Sequence, residues 1–310
     1  MKSYDVVIVG GGPGGLSAAL LLGRGRATAL LVDGGPRRNA RAHEVHTFLT
    51  RDGTPPTEFR AIARQQLAPY PSIEVRDALA TGVTLLDTPD DTGCRFTVAI
   101  GDDTVRARRI LLAVGMRDVL PDLPGLAELW GASVFQCPYC HGWELRDRPW
   151  GVLVDSEAMA AFAAFVTNWA SHVIAFTNGA PVPDDALRVM QQSHVTLERA
   201  PILKLVGATM LEGVALASGR TVPCAALVMR PPQEQVELVR VLGLALDELG
   251  FARVDPKTKE SSIPGIHVIG DATTMQQTAI TAAAEGVTVG AILNHAIVLE
   301  RIARRPHADV

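Results

Sequence analysis

An α/β protein with two Rossmann-like nucleotide-binding domains is predicted by three stretches of the sequence. DVVIVGGGPGGLSAALLLGRGRATALLVDGG opens the chain, RPWGVLVDSEAMAAFAAFVTNWASHVIAF lies in its middle, and SIPGIHVIGDATTMQQTAITAAAEGVTVGAILN lies near its end. Each joins a short apolar run to a turn and then to a helical segment, the pattern of buried parallel strands alternating with helices.

In the first stretch, residues 6–9 read as a strand buried on both faces, residues 16–23 as a helix, and residues 29–32 as a second strand ending at Asp33. Between them Gly10, Gly12 and Gly15 form G-x-G-x-x-G. That spacing is weak evidence alone. Here it follows a strand, opens a helix and is followed by an acidic residue, Asp33, at the end of the next strand. Gly10 permits the tight turn, Gly12 lets backbone approach a pyrophosphate at a helix N-terminus, and Gly15 lets the helix pack on the strand. Asp33 is placed to hydrogen-bond a ribose hydroxyl.

Residues 110–114 read as another buried strand ending at Gly115, followed by a proline-rich crossover through Pro121 and Pro124. Near the C-terminus, residues 266–269 form a strand, Gly270 and Asp271 a turn, and Thr278 opens a helix of small residues. Pairing the two ends predicts a discontinuous nucleotide-binding domain from residues 1–115 and 247–310, with residues 116–246 as an inserted domain.

The composition, 47% hydrophobic and 20% charged over 310 residues, is that of a globular chain. A net charge of −4 gives no basic excess for nucleic acid. The basic residues 301–305 read as a solvated helix end. The start carries no signal-peptide pattern, and apolar runs such as LSAALLL are too short to span a bilayer, so a cytoplasmic protein without a membrane partner is expected. Cys94 and Cys224 stand alone and read as small buried hydrophobes.

The stretch FQCPYCHGWE supports four chemistries. C-x-x-C-H attaches c-type haem, but outside the cytoplasm. Zinc needs four ligands, usually two pairs, and no second pair exists. A glutaredoxin carries its pair near the start of a small domain, where this chain has a dinucleotide fingerprint. A redox-active pair of another kind stays open, and no metal is expected.

These landmarks together resemble the low-molecular-weight thioredoxin reductases, FAD flavoproteins, over nearly the whole chain. The resemblance rests on GGGPGG, on AVG ending at Gly115, on Cys137-x-x-Cys140, and on IPGIHVIGDA ending in Gly270-Asp271-Ala. It implies that architecture, a homodimer, and FAD held by Gly10, Gly12, Gly15, Asp33, Gly115 and Gly270. Asp271 would contact the ribityl or pyrophosphate region, and Gln277, Thr278 and Ala279 would present a helix N-terminus to the flavin.

The mid-chain unit departs from that pattern. Where a second glycine-rich turn is required for NADPH, the sequence reads Asp155-Ser156-Glu157, and no arginine pair follows the next strand. Side chains there block backbone approach, and carboxylates repel phosphate. His141 replaces the acidic residue that follows the second cysteine in the reductases. Both departures resemble the FAD-dependent dithiol oxidases that close the disulfides of holomycin, gliotoxin and romidepsin. They imply a small dithiol attacking Cys137, Cys140 passing electrons to the flavin, His141 moving protons, and dioxygen as acceptor. A thioredoxin-type reductase is the alternative. Glu144 reads equally as a partner of His141 or a surface carboxylate, Tyr139 and Trp143 as packing, and His43 and His46 as loop residues.

Overall fold

The structure, a computed structural model, describes residues 1–35 and 37–304. The chain opens with strand β1 (Ser3–Val9), helix α1 (Pro13–Arg24) and strand β2 (Ala29–Val32). After a loop come α2 (Pro56–Gln65), β3 (Ile73–Arg76), β4 (Ala80–Leu85), β5 (Phe96–Ile100), β6 (Asp103–Leu112) and β7 (Met116–Asp118). The middle contains α3 (Leu126–Leu129), β8 (Val134–Phe135), α4 (Pro138–His141), β9 (Pro149–Leu153), α5 (Glu157–Phe165), β10 (His172–Phe176), α6 (Asp184–Gln192) and β11 (Thr196–Glu198). Strands β12 (Ile202–Val206), β13 (Gly213–Leu216), β14 (Thr221–Pro223) and β15 (Ala226–Val228) follow. The chain ends with β16 (Gln233–Gln235), α7 (Glu237–Leu242), β17 (Ile266–Val268) and α8 (Ala279–Ala303).

Two compact units result. The first holds residues 1–38, 56–117 and 233 onward; the second holds residues 39–55 and 118–232. In the first, the sheet runs β3-β2-β1-β6-β5-β4, and β17 also pairs with β6. Strand β6 pairs with β1 along one edge and is long enough to serve two partners on the other. Its first half pairs antiparallel with β5, and Ile110 to Leu112 pair parallel with β17. The apolar run of β1 is buried because parallel neighbours flank it on both sides, Val6 to Val9 against β2 and Ser3 to Val9 against β6. In the second unit, a parallel sheet of order β11-β10-β9-β15-β8 carries the redox segment on its β8 edge, beside an antiparallel sheet β12-β13-β14. Two α/β sheets of Rossmann type are thus present.

The division differs from the expected one at three places, the smallest being residues 116–117, which belong to the first unit. Residues 233–246 belong to the first unit, because Leu238, Val239 and Leu244 bury their side chains in its core with Val7, Phe96 and Ile266. Residues 39–55, expected in the first domain, pack with the second unit, where Arg41 donates to the Glu128 carbonyl at 3.0 Å.

Helix α8 also corrects the expectation drawn from run lengths. It is long and apolar enough to cross a membrane by length and composition, although polar residues interrupt its runs. Here Gly286, Val289, Gly290, Leu293 and Ile297 are buried. Gly286 lies so close to Gly14 that an added Cβ would stand 2.1 Å from the Gly14 carbonyl oxygen. At its end Arg301 pairs with buried Asp5 at 2.5 Å, so this basic end is partly engaged within the unit. Arg305 lies outside the described residues.

Candidate active site

Two sites, one in each unit, carry the residues singled out from the sequence. In the first unit, the β1–α1 turn is shaped by its glycines. Gly10 has φ +108° and a Cβ there would meet the Ala113 carbonyl oxygen at 2.2 Å; a Cβ on Gly15 would meet the Gly10 carbonyl oxygen at 1.9 Å. Gly12 is the opposite case. It is the N-cap of α1, makes no side-chain cap, and a Cβ there would meet no protein atom within 4 Å. The first amides of α1 therefore face an open, side-chain-free surface, which is what a bound pyrophosphate requires.

Asp33 ends β2 as expected and is buried. Its carboxylate accepts from the Gly11 amide at 3.3 Å, from Arg60, and from Arg64 at 3.2 Å. The two arginines stand four residues apart on one face of α2 and were not anticipated. Gly115 closes β6 with φ +68°, and Gly270 follows β17 with φ +73°. The Gly270 amide donates to Glu285 at 2.7 Å, and Glu285 pairs with Lys259, so α8 pins this turn. Asp271 pairs with Arg38 at 3.0 Å, and Arg38 also donates to Gln277. Thr278 caps α8, which begins at Ala279, by accepting from the Thr281 amide at 3.2 Å. Gly10, Gly12, Gly15, Asp33, Gly115, Gly270, Asp271, Gln277, Thr278 and Ala279 all fall within this unit. Arg38, Arg60 and Glu285 join their network through contacts spanning 15 to 233 residues, which no local motif announces.

In the second unit, Cys137 is the N-cap of α4, and Cys140 lies in its single turn. Both are free thiols and half-buried. The Cys140 thiol donates to Cys137, the amides of Cys140 and Tyr139 point at it, and Arg230 adds positive charge. Together these outweigh burial and draw the Cys137 thiol down to about 7. In the reduced pair this arrangement favours a thiolate on Cys137.

His141 follows Cys140 at the end of α4. Its ring stacks on Phe135 with centroids 5.0 Å apart, and Nε2 lies 3.2 Å from the Gly131 carbonyl oxygen. A carbonyl only accepts, so Nε2 carries the proton. Burial lowers the pKa of the ring, against the pull of the Gly131 and Cys137 carbonyls and Glu144, so the ring is neutral near pH 7. Nδ1 is then the basic nitrogen, and it is buried without a hydrogen-bond partner. Glu144 lies 3.6 Å from His46. Tyr139 and Trp143 are exposed rather than packed inside; Tyr139 forms an edge contact with Trp169. Cys94 and Cys224 are buried, and burial pushes the Cys224 thiol up to about 12, which leaves it inert. Among the described residues, no group of three or more His, Cys, Asp or Glu side chains is arranged to hold a metal ion.

These shifts give a pH dependence. Cys137 has a lowered pKa, so its thiolate is present above about pH 7 and lost as the pH falls through it. Alkylation of the reduced protein by iodoacetamide, followed by mass spectrometry of the Cys137 peptide, is expected to accelerate through pH 7 and level off above pH 8. A midpoint near the ordinary thiol value would contradict the geometry.

The second dinucleotide turn lies between β9 and α5. Ser156 is the N-cap of α5 and accepts from the Met159 amide at 3.3 Å. The helix end is thus capped by its own side chain, with Asp155 and Glu157 exposed on either side. Where the β1–α1 turn leaves its amides uncovered, this one satisfies an amide internally and adds negative charge.

Comparison with known proteins agrees with this construction. The pyridine nucleotide-disulphide oxidoreductase family matches residues 4–166. The chain belongs to this family. It is 30% identical to the thioredoxin reductase sirT of Leptosphaeria maculans, covering 94% of this chain and 93% of that protein. Among solved structures it resembles HlmI at TM-score 0.90 and 32% identity, over 97% of this chain and 94% of that one. It also resembles an oxidoreductase from Agrobacterium tumefaciens at TM-score 0.87 and 35% identity, over 96% and 99% of the two chains. The chain is therefore an oxidoreductase of thioredoxin-reductase-like fold, and its cofactor is FAD. The open β1–α1 turn fits that cofactor. Gly10, Gly12 and Gly15 would receive the pyrophosphate, Asp33 the ribose, and Gly115, Gly270, Asp271 and the start of α8 the rest.

Proposed function

We propose that this flavoprotein, acting as a homodimer, oxidises a small-molecule dithiol to an intramolecular disulfide in natural-product biosynthesis. Cys137 and Cys140 form the redox pair, dioxygen is the terminal acceptor, and hydrogen peroxide is the second product. The observation that carries this reading is the contrast between the two turns. Gly12 leaves one helix N-terminus open to a dinucleotide, whereas Ser156, Asp155 and Glu157 close the other. With the second turn closed to NADPH, this reading takes the electrons from the thiol substrate.

A substrate thiolate attacks the enzyme disulfide at Cys137, and its second thiol then displaces the enzyme and closes the product ring. The strongest contribution to Cys137 acidity, the Cys140 thiol, exists only once the pair is reduced, so it does not oppose this order. In this reading His141, next to Cys140 in the chain, takes up and returns the proton of the reduced pair. Bound FAD supplies the two-electron acceptor that returns the pair to the disulfide. Sequence likeness to a protein named thioredoxin reductase favours a second reading, a disulfide reductase fed by NADPH or another donor.

Oxygen uptake separates the two. Under air, a small dithiol is expected to drive oxygen consumption with one peroxide formed per disulfide, and NADPH with thioredoxin to drive none. NADPH oxidation coupled to thioredoxin reduction would establish the reductase.

A further inference from the structure

The cysteine pair borders an aromatic cluster that reaches the surface. Tyr139, between the two cysteines, makes an edge contact with Trp169 at 5.3 Å between ring centroids and lies 6.2 Å from Phe165. Phe165 lies 5.3 Å from Trp169 and 5.3 Å from Phe162. Phe162 and Phe165 stand three residues apart on α5 and so share one helix face. Phe162 and Trp169 pack against the core of the second unit, whereas Tyr139 is 62% exposed and Phe165 43%. The cluster is therefore anchored on one side and open on the other.

Its far end is charged. The Arg230 guanidinium lies over the Phe162 ring, 4.6 Å from the centroid. Arg230 is exposed, and among the described residues no carboxylate pairs with it, unlike Arg60, Arg64, Arg76 and Arg106. The sheet also brings it to the redox pair. Strands β15 and β8 run parallel with Val228 beside Phe135, and the Met229 amide donates to the Phe135 carbonyl at 3.1 Å. Arg230 and Cys137 each stand two residues beyond that pair, and Cys137 keeps extended backbone, with φ −119° and ψ 109°. Arg230 follows β15 and α5 follows β9, the two neighbouring strands at which the strand order reverses. In α/β sheets the crevice at the carboxyl ends of such strands is where ligands bind. Asp155 and Glu157 lie at the start of α5, more than one helical turn before Phe162.

We infer that the dithiol substrate is an anion, with a carboxylate held by Arg230 and an apolar body lying over Phe165 and Tyr139 while its thiol meets Cys137. A guanidinium stacked on a ring keeps its in-plane N–H groups for a carboxylate, which it can grip with two parallel bonds. The exposed rings offer apolar surface between that anchor and the sulfur. Arg230 is thus a specificity-determining residue. The inference rests on the reading that the pair exchanges with a small dithiol, and it names the chemical class of that dithiol.

The test uses the oxidised holoenzyme under argon, with dihydrolipoate and dihydrolipoamide as probes. The two share one dithiol and one apolar chain and differ by a single charge. Each dithiol passes two electrons and two protons to the enzyme disulfide and closes to its own cyclic disulfide. Enzyme thiols are followed by acid quench and alkylation, so neither oxygen nor NADPH takes part. Each rate is divided by that of the same probe with free hydroxyethyl disulfide. At low probe concentration the wild type is expected to react roughly two- to tenfold faster with dihydrolipoate, the range of a solvent-accessible charge-assisted pair. That preference is expected to shrink as salt rises from about 0.02 M to about 0.5 M, since an exposed pair is screened. Arg230→Gln is expected to abolish it, Arg230→Lys to keep part of it, and Tyr139→Ala to slow both probes by a common factor of roughly three. Equal rates in the wild type would overturn the anion site without recourse to any variant. So would an Arg230→Gln protein that slows with both probes yet keeps their ratio, because that is the mark of an arginine acting on Cys137 alone. Wild-type rates in Tyr139→Ala would overturn the aromatic seat. A wild type that treats both probes alike and is not bleached by NADPH would overturn the site and leave the oxidase reading intact. A wild type that prefers dihydrolipoate but is bleached by NADPH would overturn the oxidase reading alone.

Discussion

Cys137→Ser is expected to lower dithiol turnover by more than about a thousandfold while leaving the fold and the bound flavin intact. The size follows from chemistry, since a serine hydroxyl cannot form the enzyme disulfide and covalent exchange has no other acceptor. The clean background follows from structure. Cys137 is the N-cap of α4 with extended backbone, φ −119° and ψ 109°, and makes no side-chain cap. Serine is among the preferred N-cap residues, so the substitution supports the local helix rather than disturbing it. Far-ultraviolet circular dichroism and the flavin spectrum should match the wild type. Cys140→Ser removes the thiol that donates to Cys137 as well as the partner sulfur, so it should also push the Cys137 alkylation midpoint upward. Turnover within tenfold of wild type in either variant would mean that the thiol pair is not on the reaction path.

The second large effect separates cofactor binding from folding. Gly12→Ala is expected to give a protein of near-normal stability that purifies with little flavin. Gly12 has φ −79° and its Cβ would meet no protein atom, so alanine fits the folded chain and costs at most about 1 kcal/mol as a poorer cap. The same methyl group stands on the surface offered to a pyrophosphate. Gly15→Ala is expected to lose both, because its Cβ would overlap the Gly10 carbonyl oxygen and push α1 off β1. Gly82→Ala in β4, where the nearest neighbour is the Ala99 Cβ at 3.9 Å, should be silent. The measurements are the 450 nm to 280 nm absorbance ratio and the melting temperature. A fully flavinated Gly12→Ala would show that the β1–α1 turn is not the pyrophosphate site.

Much of this was legible in the sequence because it depends on short-range pattern. The strand–turn–helix fingerprint at Gly10 to Gly15 is set by glycine sterics, and the acidic turn at Asp155 to Glu157 by the lack of glycine; both are local. The boundary at residue 232 had a signal too, Pro231-Pro232, but the expected division was drawn after residue 246. Other features depend on the folded chain. The acidity of Cys137 comes from the direction of one thiol and two amides. Arg60 and Arg64 meet Asp33 only because α2 lays one face over the turn. His46 looked like an ordinary loop histidine, and its pairing with Glu144, 98 positions later, comes from where residues 39–55 pack.

The direction of electron flow is tested most directly by anaerobic stopped-flow absorbance at the flavin maximum. The oxidised protein is mixed separately with a small dithiol and with NADPH. Bleaching by the dithiol and none by NADPH is the expected result, with the yellow colour and one equivalent of peroxide returning when air is admitted. Rapid bleaching by NADPH would mean that Asp155, Ser156 and Glu157 do not close the second turn, and would contradict the assignment as a dithiol oxidase.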